Sequence, residues 1–418
     1  MNHLPIDPDA HSRRAWLPWP NCNHGHGCPQ CQNNQNCQIH WQYLLKTAGT
    51  RVSLQCPTCA HLWTVDTTHA RRREPDVVAS IPLGGPAHDV VVCPGGDHVY
   101  ATTANSVSVI DRAHHIVANI PVGVDPKRTM VSADGSRVYV TGYDGSMSII
   151  NAVDHTVRTV VGQASTAEVI SPHDNYVYLV HNQGRNSWVS VISDDGTTAT
   201  VVPVHSYASA LTLSPDGGRL YVASSKPRST YQHGHGSISV IDTATFTLTD
   251  VIAVQFSPDT IIVNPDGSAV YATHYNENAI SAIELASCCH TLIGLDDAPL
   301  DVAVSPDGDQ LYVTNLHSVA LIDTATNVAE SMPIGDLPRQ LHVSSDGKRA
   351  YTTDFGHHSV RVWDPVNKTI MTTVDLGRNP EALALTADEE FLYVADYLDP
   401  TLTVISLASS ERSPNRAG

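Results

Sequence analysis

The sequence predicts an all-β protein: an eight-bladed β-propeller of four-stranded antiparallel blades over residues 77–410, behind a small cysteine-rich N-terminal module. Three observations lead there. A phrase made of a Pro/Asp/Gly turn, a bulky residue and Tyr recurs eight times. Its tyrosines stand 39, 39, 43, 50, 41, 39 and 42 residues apart, the spacing that four short strands and their turns require. A strand-like segment, 77–84, precedes the first full unit, and the last unit, ending at 404–409, lacks a fourth strand of its own.

The phrase reads CPGGDHVY at Tyr100, SADGSRVY at Tyr139, SPHDNYVY at Tyr178 and SPDGGRLY at Tyr221. It continues as NPDGSAVY at Tyr271, SPDGDQLY at Tyr312, SSDGKRAY at Tyr351 and TADEEFLY at Tyr393. The sixth unit shows the elements in order. LDVAVS (300–305) alternates apolar and polar, Pro306-Asp307-Gly308 turns, QLYVT (310–314) alternates again, SVALID (318–323) follows, and AESMPIG (329–335) leads out. Val, Ile, Leu, Tyr and Thr at period two suit half-buried strands. Asp and Gly supply the turn's local hydrogen bonds and its positive φ. The pattern SPDG, Tyr-Val-Thr, then V-I-D-T-A-T resembles the YVTN family of β-propellers. It survives as YVTG (139–142), YVTN (312–315), VIDTAT (240–245) and LIDTAT (321–326). The resemblance covers all eight units and implies the architecture, without naming an activity.

In propellers an N-terminal strand commonly completes the last blade, which removes two open sheet edges. Segment 77–84 is placed to do that here. Seven blades is the alternative and requires one unit to be displaced.

Net charge is −18, distributed unevenly. Residues 1–75 hold seven Lys/Arg against four Asp/Glu, and the remainder 17 against 38. So acidic a propeller argues against nucleic-acid binding and for solubility. No segment approaches eighteen consecutive apolar residues, so no membrane span is expected. The N-terminal stretch has no apolar core of a secretory signal, which predicts a cytoplasmic protein; a monomer is expected.

Six of nine cysteines lie before residue 60. Cys28-Pro-Gln-Cys31 and Cys56-Pro-Thr-Cys59 are two C-x2-C turns, each able to present two thiolates to one ion; together they predict a tetrahedral four-cysteine site for structural zinc. The arrangement resembles a zinc ribbon over residues 1–63, with Trp63 as a cover. So small a module leans on its metal to fold. Disulfides and a redox CxxC are the alternatives. Cys22, Cys37 and His40 are left over, either for a second ion or for an exchanged ligand. Residues 64–76, with Arg71, Arg72 and Arg73, read as a linker, and 411–418 as a tail.

Strand order places the loops after each Tyr strand, and those leading into each inner strand, on one face. Nine of the propeller's 16 histidines map there: His88, His181, His205, His233, His235, His274, His317, His357 and His358. An insertion, 224–237, accounts for the longest interval. The chain predicts a ligand face built on His88, Arg128, Asp301 and Arg339, with Asp89, Lys127, Asp259, Gln340 and Glu381 beside them at the ends of the inner strands. A transition-metal site at His233, His235 and His274 is a sharper alternative. Sequence motifs of hydrolases, P-loops and zincins are absent. The expectation is therefore a non-enzymatic binding or scaffold protein, recognising a protein or small polar ligand. The rival is a metal-dependent propeller enzyme, a hydrolase or an oxidoreductase, using the histidine-rich face.

Overall fold

The computed structural model describes residues 51–55, 62–66 and 75–407, apart from 124, 163–164, 175, 206, 226–234 and 288. The chain divides into two compact units, 1–74 with 408–418, and 75–407.

In the first unit, Arg51–Gln55 pairs antiparallel with Leu62–Asp66, so that Gln55 faces Leu62 across a six-residue connection. The second strand takes 64–66 out of the expected linker.

The second unit is the propeller, and it has eight blades. The seven-bladed alternative is not realised. Each blade is a four-stranded antiparallel sheet. The innermost strands of blades 1 to 8 are Val90–Val92, Pro126–Val131, Ser165–Ile170, Ala208–Leu213, Ile261–Val263, Pro299–Val304, Pro338–Val343 and Pro380–Leu385. In seven blades the strands follow chain order from inside to outside. In blade 8 the outer strand is Asp76–Pro82, paired with Thr401–Ser406. The ring is thus closed by a strand from the other end of the domain, and no blade is left with three strands.

The repeated Tyr explains the core. All eight sit on the second strand and are at most 3% exposed. Burial pushes the phenols of Tyr100, Tyr139, Tyr312 and Tyr393 up to about 12. The rings reach into the gap before the next blade. Tyr271 packs with Val302 and Leu311 of blade 6, and Tyr312 meets Trp363 of blade 7 edge-on at 5.7 Å. The core is accordingly not one mass but eight apolar clusters, one at each blade–blade interface.

The Asp-Gly turns behave as their chemistry requires. In blade 6 the Ser305 hydroxyl donates to Asp307 at 2.5 Å and accepts from the Gln310 amide at 2.9 Å, while Gly308 takes φ +82°. Blade 8 has Glu389 at φ +54° in that place, so a non-glycine residue is accommodated. No helix among the described residues is long and apolar enough to cross a membrane.

Candidate functional site

The face opposite the Asp-Gly turns is stitched together by backbone bonds between its two kinds of loop. The Leu337 amide donates to Leu316 O of blade 6, and Leu337 O accepts from the Phe355 amide. Asp125 repeats the arrangement between Ala104 and Tyr143. Both bridging residues adopt a left-handed backbone, with φ +53° and +51°.

Inner strands enter from this face, and most begin with a bulge. The register slips between Pro126 and Arg128, Ser165 and Ala167, Ala208 and Ala210, Pro299 and Asp301, Pro338 and Leu341, and Pro380 and Ala382. A bulge frees one residue from the ladder and re-aims its neighbours. At the first level below it stand Asp89, Arg128, Thr260, Asp301 and Gln340, with alanines 167, 210 and 382 completing the ring. The alanines leave room in the channel.

Three of these side chains clasp the next blade. Asp89 accepts from the Thr129 amide at 2.7 Å, Asp301 from the Leu341 amide, and Gln340 from the Leu383 amide at 2.6 Å. The amides of Asp89, Asp301 and Gln340 are in turn held by the hydroxyls of Thr102, Thr314 and Thr353. Burial pushes the Asp89 carboxyl up to about 6, against the pull of the Thr129 amide and the Arg128 guanidinium. Burial raises Asp301 to about 6 as well, opposed by the Val302 and Leu341 amides and by Arg128. Asp89 stands on blade 1 and Asp301 on blade 6, yet both feel Arg128 of blade 2. Arg128 is exposed and has no carboxylate within 4.0 Å among the described residues. The channel mouth therefore holds two carboxylates that lack full solvation, with one guanidinium in their common field.

Around this set, Lys127 reaches the Ser165 and Thr166 carbonyls and lies 3.7 Å from Glu168. Glu168 is buried, accepting from the hydroxyls of Thr141 and Ser165. Its place is apolar or Thr in other blades (Val90, Thr129, Leu211, Ile261, Val302, Leu341, Leu383), a departure the sequence could have revealed. His88 meets Tyr397 edge-on at 5.9 Å, and the Arg339 guanidinium lies 5.0 Å over Phe355. Asp259 accepts from the Tyr275 amide, and Glu381 is half-buried.

The histidines separate into two groups. The residue three after each Tyr is buried in every blade: Thr103, Gly142, His181, Ser224, His274, Asn315, Asp354 and Asp396. Thr103, His274, Asn315, Asp354 and Asp396 tie the second strand to the third, bonding to Ser106, Ser281, Ser318, Arg361 and Thr403. His274 uses both ring nitrogens, on Ser257 O at 3.0 Å and Ser281 Oγ at 2.6 Å, and burial lowers its pKa. His181 is buried and stacks on Trp188. His205, His235, His317, His357 and His358 are exposed. His317 bridges Asp297 at 2.7 Å and Asp336 at 3.6 Å. His233 lies outside the described residues, as do Cys22, Cys28, Cys31, Cys37, His40, Cys56 and Cys59. Among the described residues no three His, Cys, Asp or Glu side chains are grouped so as to hold a metal ion.

No family model matches the chain. Two curated proteins resemble it. A seven-bladed β-propeller protein of Mycobacterium tuberculosis, Rv1057, is 27% identical over 301 residues, spanning 59% of this chain and 74% of that protein. Antigen Lp49 of Leptospira interrogans is 28% identical over 171 residues, or 37% of each chain. Among solved structures, the hydrazine synthase of Kuenenia stuttgartiensis superposes with a TM-score of 0.52 at 21% identity, over 78% of this chain and 96% of its own. At that identity the likeness is one of fold. The chain is a β-propeller protein of eight four-stranded blades.

Proposed function

We propose that this is a non-enzymatic binding protein whose propeller recognises a cationic side chain of a partner protein at the channel mouth, and whose N-terminal module is a structural zinc ribbon. The observation that carries the recognition reading is the Asp89–Arg128–Asp301 set. Two carboxylates pushed up to about 6 are held ionised at neutral pH at a cost in stability. A Lys or Arg side chain placed between them would recover that cost, and Arg128 would limit the mouth to ligands that also offer an acceptor. The charge of the propeller, 17 basic against 38 acidic residues after position 75, draws such partners in.

The test is the Asp89→Asn/Asp301→Asn double variant. Asn keeps an oxygen for the Thr129 and Leu341 amides and removes the charge. Binding of a hexalysine peptide, followed by calorimetry at physiological salt, is expected to weaken at least about tenfold. An Asp194→Asn/Asp309→Asn control, remote from the channel, is expected to change little. Equal losses in both variants would reduce the effect to net charge and refute the site. Stability supplies the second readout. A carboxyl whose folded pKa is raised binds its proton more tightly folded than unfolded, so its contribution falls as pH rises from about 4 to about 6 and stays low above. The double variant is therefore expected to gain about 1–3 kcal/mol per site at pH 7.5 and almost nothing at pH 4.

The zinc reading rests on the two C-x2-C pairs at Cys28, Cys31, Cys56 and Cys59. It is supported by the antiparallel pairing of 51–55 with 62–66, which brackets the second pair in a hairpin connection. Changing all four to Ser is expected to remove one stoichiometric zinc by mass spectrometry while leaving the propeller's melting transition in place. Metal persisting in that variant, then lost on substituting His233 and His235, would instead favour the metal-dependent enzyme.

A further inference from the structure

We infer that the gap between blades 2 and 3 is a second binding site, independent of the channel mouth, for a small planar aromatic ring. Two departures from the repeat meet there. The strand pairings make Ser106, Ser146, Ser237, Ala279, Ser318, Ser359 and Thr401 the equivalents of Trp188, so blade 3 alone carries a large ring at this place. The residue following the fourth-strand partner is apolar in seven blades: Leu83, Val122, Val204, Val254, Leu295, Ile334 and Leu376. In blade 2 it is Gly162.

The missing side chain leaves space. A Cβ built on Gly162 meets only Gly145 O, at an ordinary 3.6 Å. The apolar cluster at this interface has six buried members, the fewest of the eight. Trp188 does not simply fill the hole, because a cavity of about 270 Å³ remains, lined by Gly162, Met147, Val160, Leu179, His181 and Trp188 among others. One wall is aromatic: the His181 and Trp188 rings stack at 5.5 Å with 26° between their planes. Met147 and Val160 of blade 2 contribute aliphatic surface, and Ser190 and Thr198 of blade 3 also line the cavity. An aromatic surface beside aliphatic side chains favours a one- or two-ring aromatic over a branched aliphatic of equal volume, since stacking adds to burial.

Gly162→Val restores the residue type of the other blades and reduces the cavity; Trp188→Ser removes the larger ring of the aromatic wall while also restoring the repeat. The full-length protein is titrated into 5-fluoroindole and 4-fluorophenol, read by fluorine line broadening, with fluorinated cyclohexanol as the non-aromatic control. Near-ultraviolet dichroism checks that each variant is folded. The expected result is broadening of the aromatic probes by the parent protein, about tenfold weaker in either variant, and little effect on the cyclohexanol. Equal binding by parent and both variants, equal binding of the cyclohexanol, or no binding of either aromatic probe by the parent would each overturn the assignment. Asp89→Asn/Asp301→Asn is expected to leave this binding unchanged, which separates its outcome from that of the channel site.

Discussion

A chain lacking residues 1–84 is expected to lose the cooperative fold of the propeller, whereas one lacking only 1–74 is expected to keep it. The difference lies in ten residues. Asp76–Pro82 forms the outer strand of blade 8 and pairs along Thr401–Ser406 from Asp76–Ser406 to Pro82–Thr401. Ile81 and Leu83 are buried in one cluster with Ala87, Val90, Leu402 and Val404, which spans the last blade and the first. Their removal forfeits about 1.5–3 kcal/mol for each of the two side chains, along with the ladder hydrogen bonds. It also uncovers the edge of 401–406, a strand meant to be internal, in a sheet that then has only three strands. Against a typical net stability of about 5–15 kcal/mol, those losses together are decisive. Size exclusion, far-ultraviolet dichroism and urea unfolding would show the shorter truncation monodisperse with a steep transition and the longer one aggregated or without a transition. A longer truncation that unfolded at the parent's midpoint would mean that the ring does not depend on this strand.

That closure was readable because two signals were local: strand-like 77–84 at one end and a final unit one strand short at the other. The blade count was readable for the same reason, since each Tyr marks a second strand and needs no long-range information. Face assignment also followed from strand order alone, and it brought His88, Asp89, Arg128, Asp301 and Arg339 to the ends of the inner strands. What the linear chain did not reveal depends on register. His181 and His274 lie on the predicted face by loop position, but they occupy the buried place three residues after Tyr, where hairpin geometry takes their side chains inward. Glu168, by contrast, stands ten residues before Tyr178, where every other unit has an apolar residue or Thr, so alignment of the repeats alone singles it out. Gly162 and Trp188 are 26 positions apart in different units, and only the packing of one blade on the next makes them neighbours.

Asp354→Ala is expected to cost about 3–5 kcal/mol, the penalty for leaving a buried charge without its counterion. Asp354 is 1% exposed and lies at the end of the second strand of blade 7. One carboxylate oxygen accepts from the Asp336 amide at 3.0 Å and from the His357 amide and Nδ1, both at 3.1 Å. The other accepts from Arg361 on the third strand, at 2.8 Å from both Nε and a terminal nitrogen. This one side chain fixes the loop entering the blade, the loop after its second strand and the strand that follows. The packing is tight enough that a Cβ on Gly335 would lie 2.2 Å from Asp354 Oδ2, so glycine is required there by close approach. Alanine at 354 strands the Arg361 guanidinium, whose side chain is only 18% exposed, and releases two backbone amides. Asn keeps one acceptor oxygen, enough for the Asp336 and His357 amides, but turns a donor toward Arg361, and should lose less than Ala. Substituting Arg361→Ala in the Asp354→Ala background should cost little more, because the pair acts as a unit and the second change removes the stranded cation. Urea unfolding of the four proteins of that cycle measures the coupling. Additive losses would show that Asp354 works through the loop amides alone, and the ion pair would then be incidental to the stability of the face on which the channel opens.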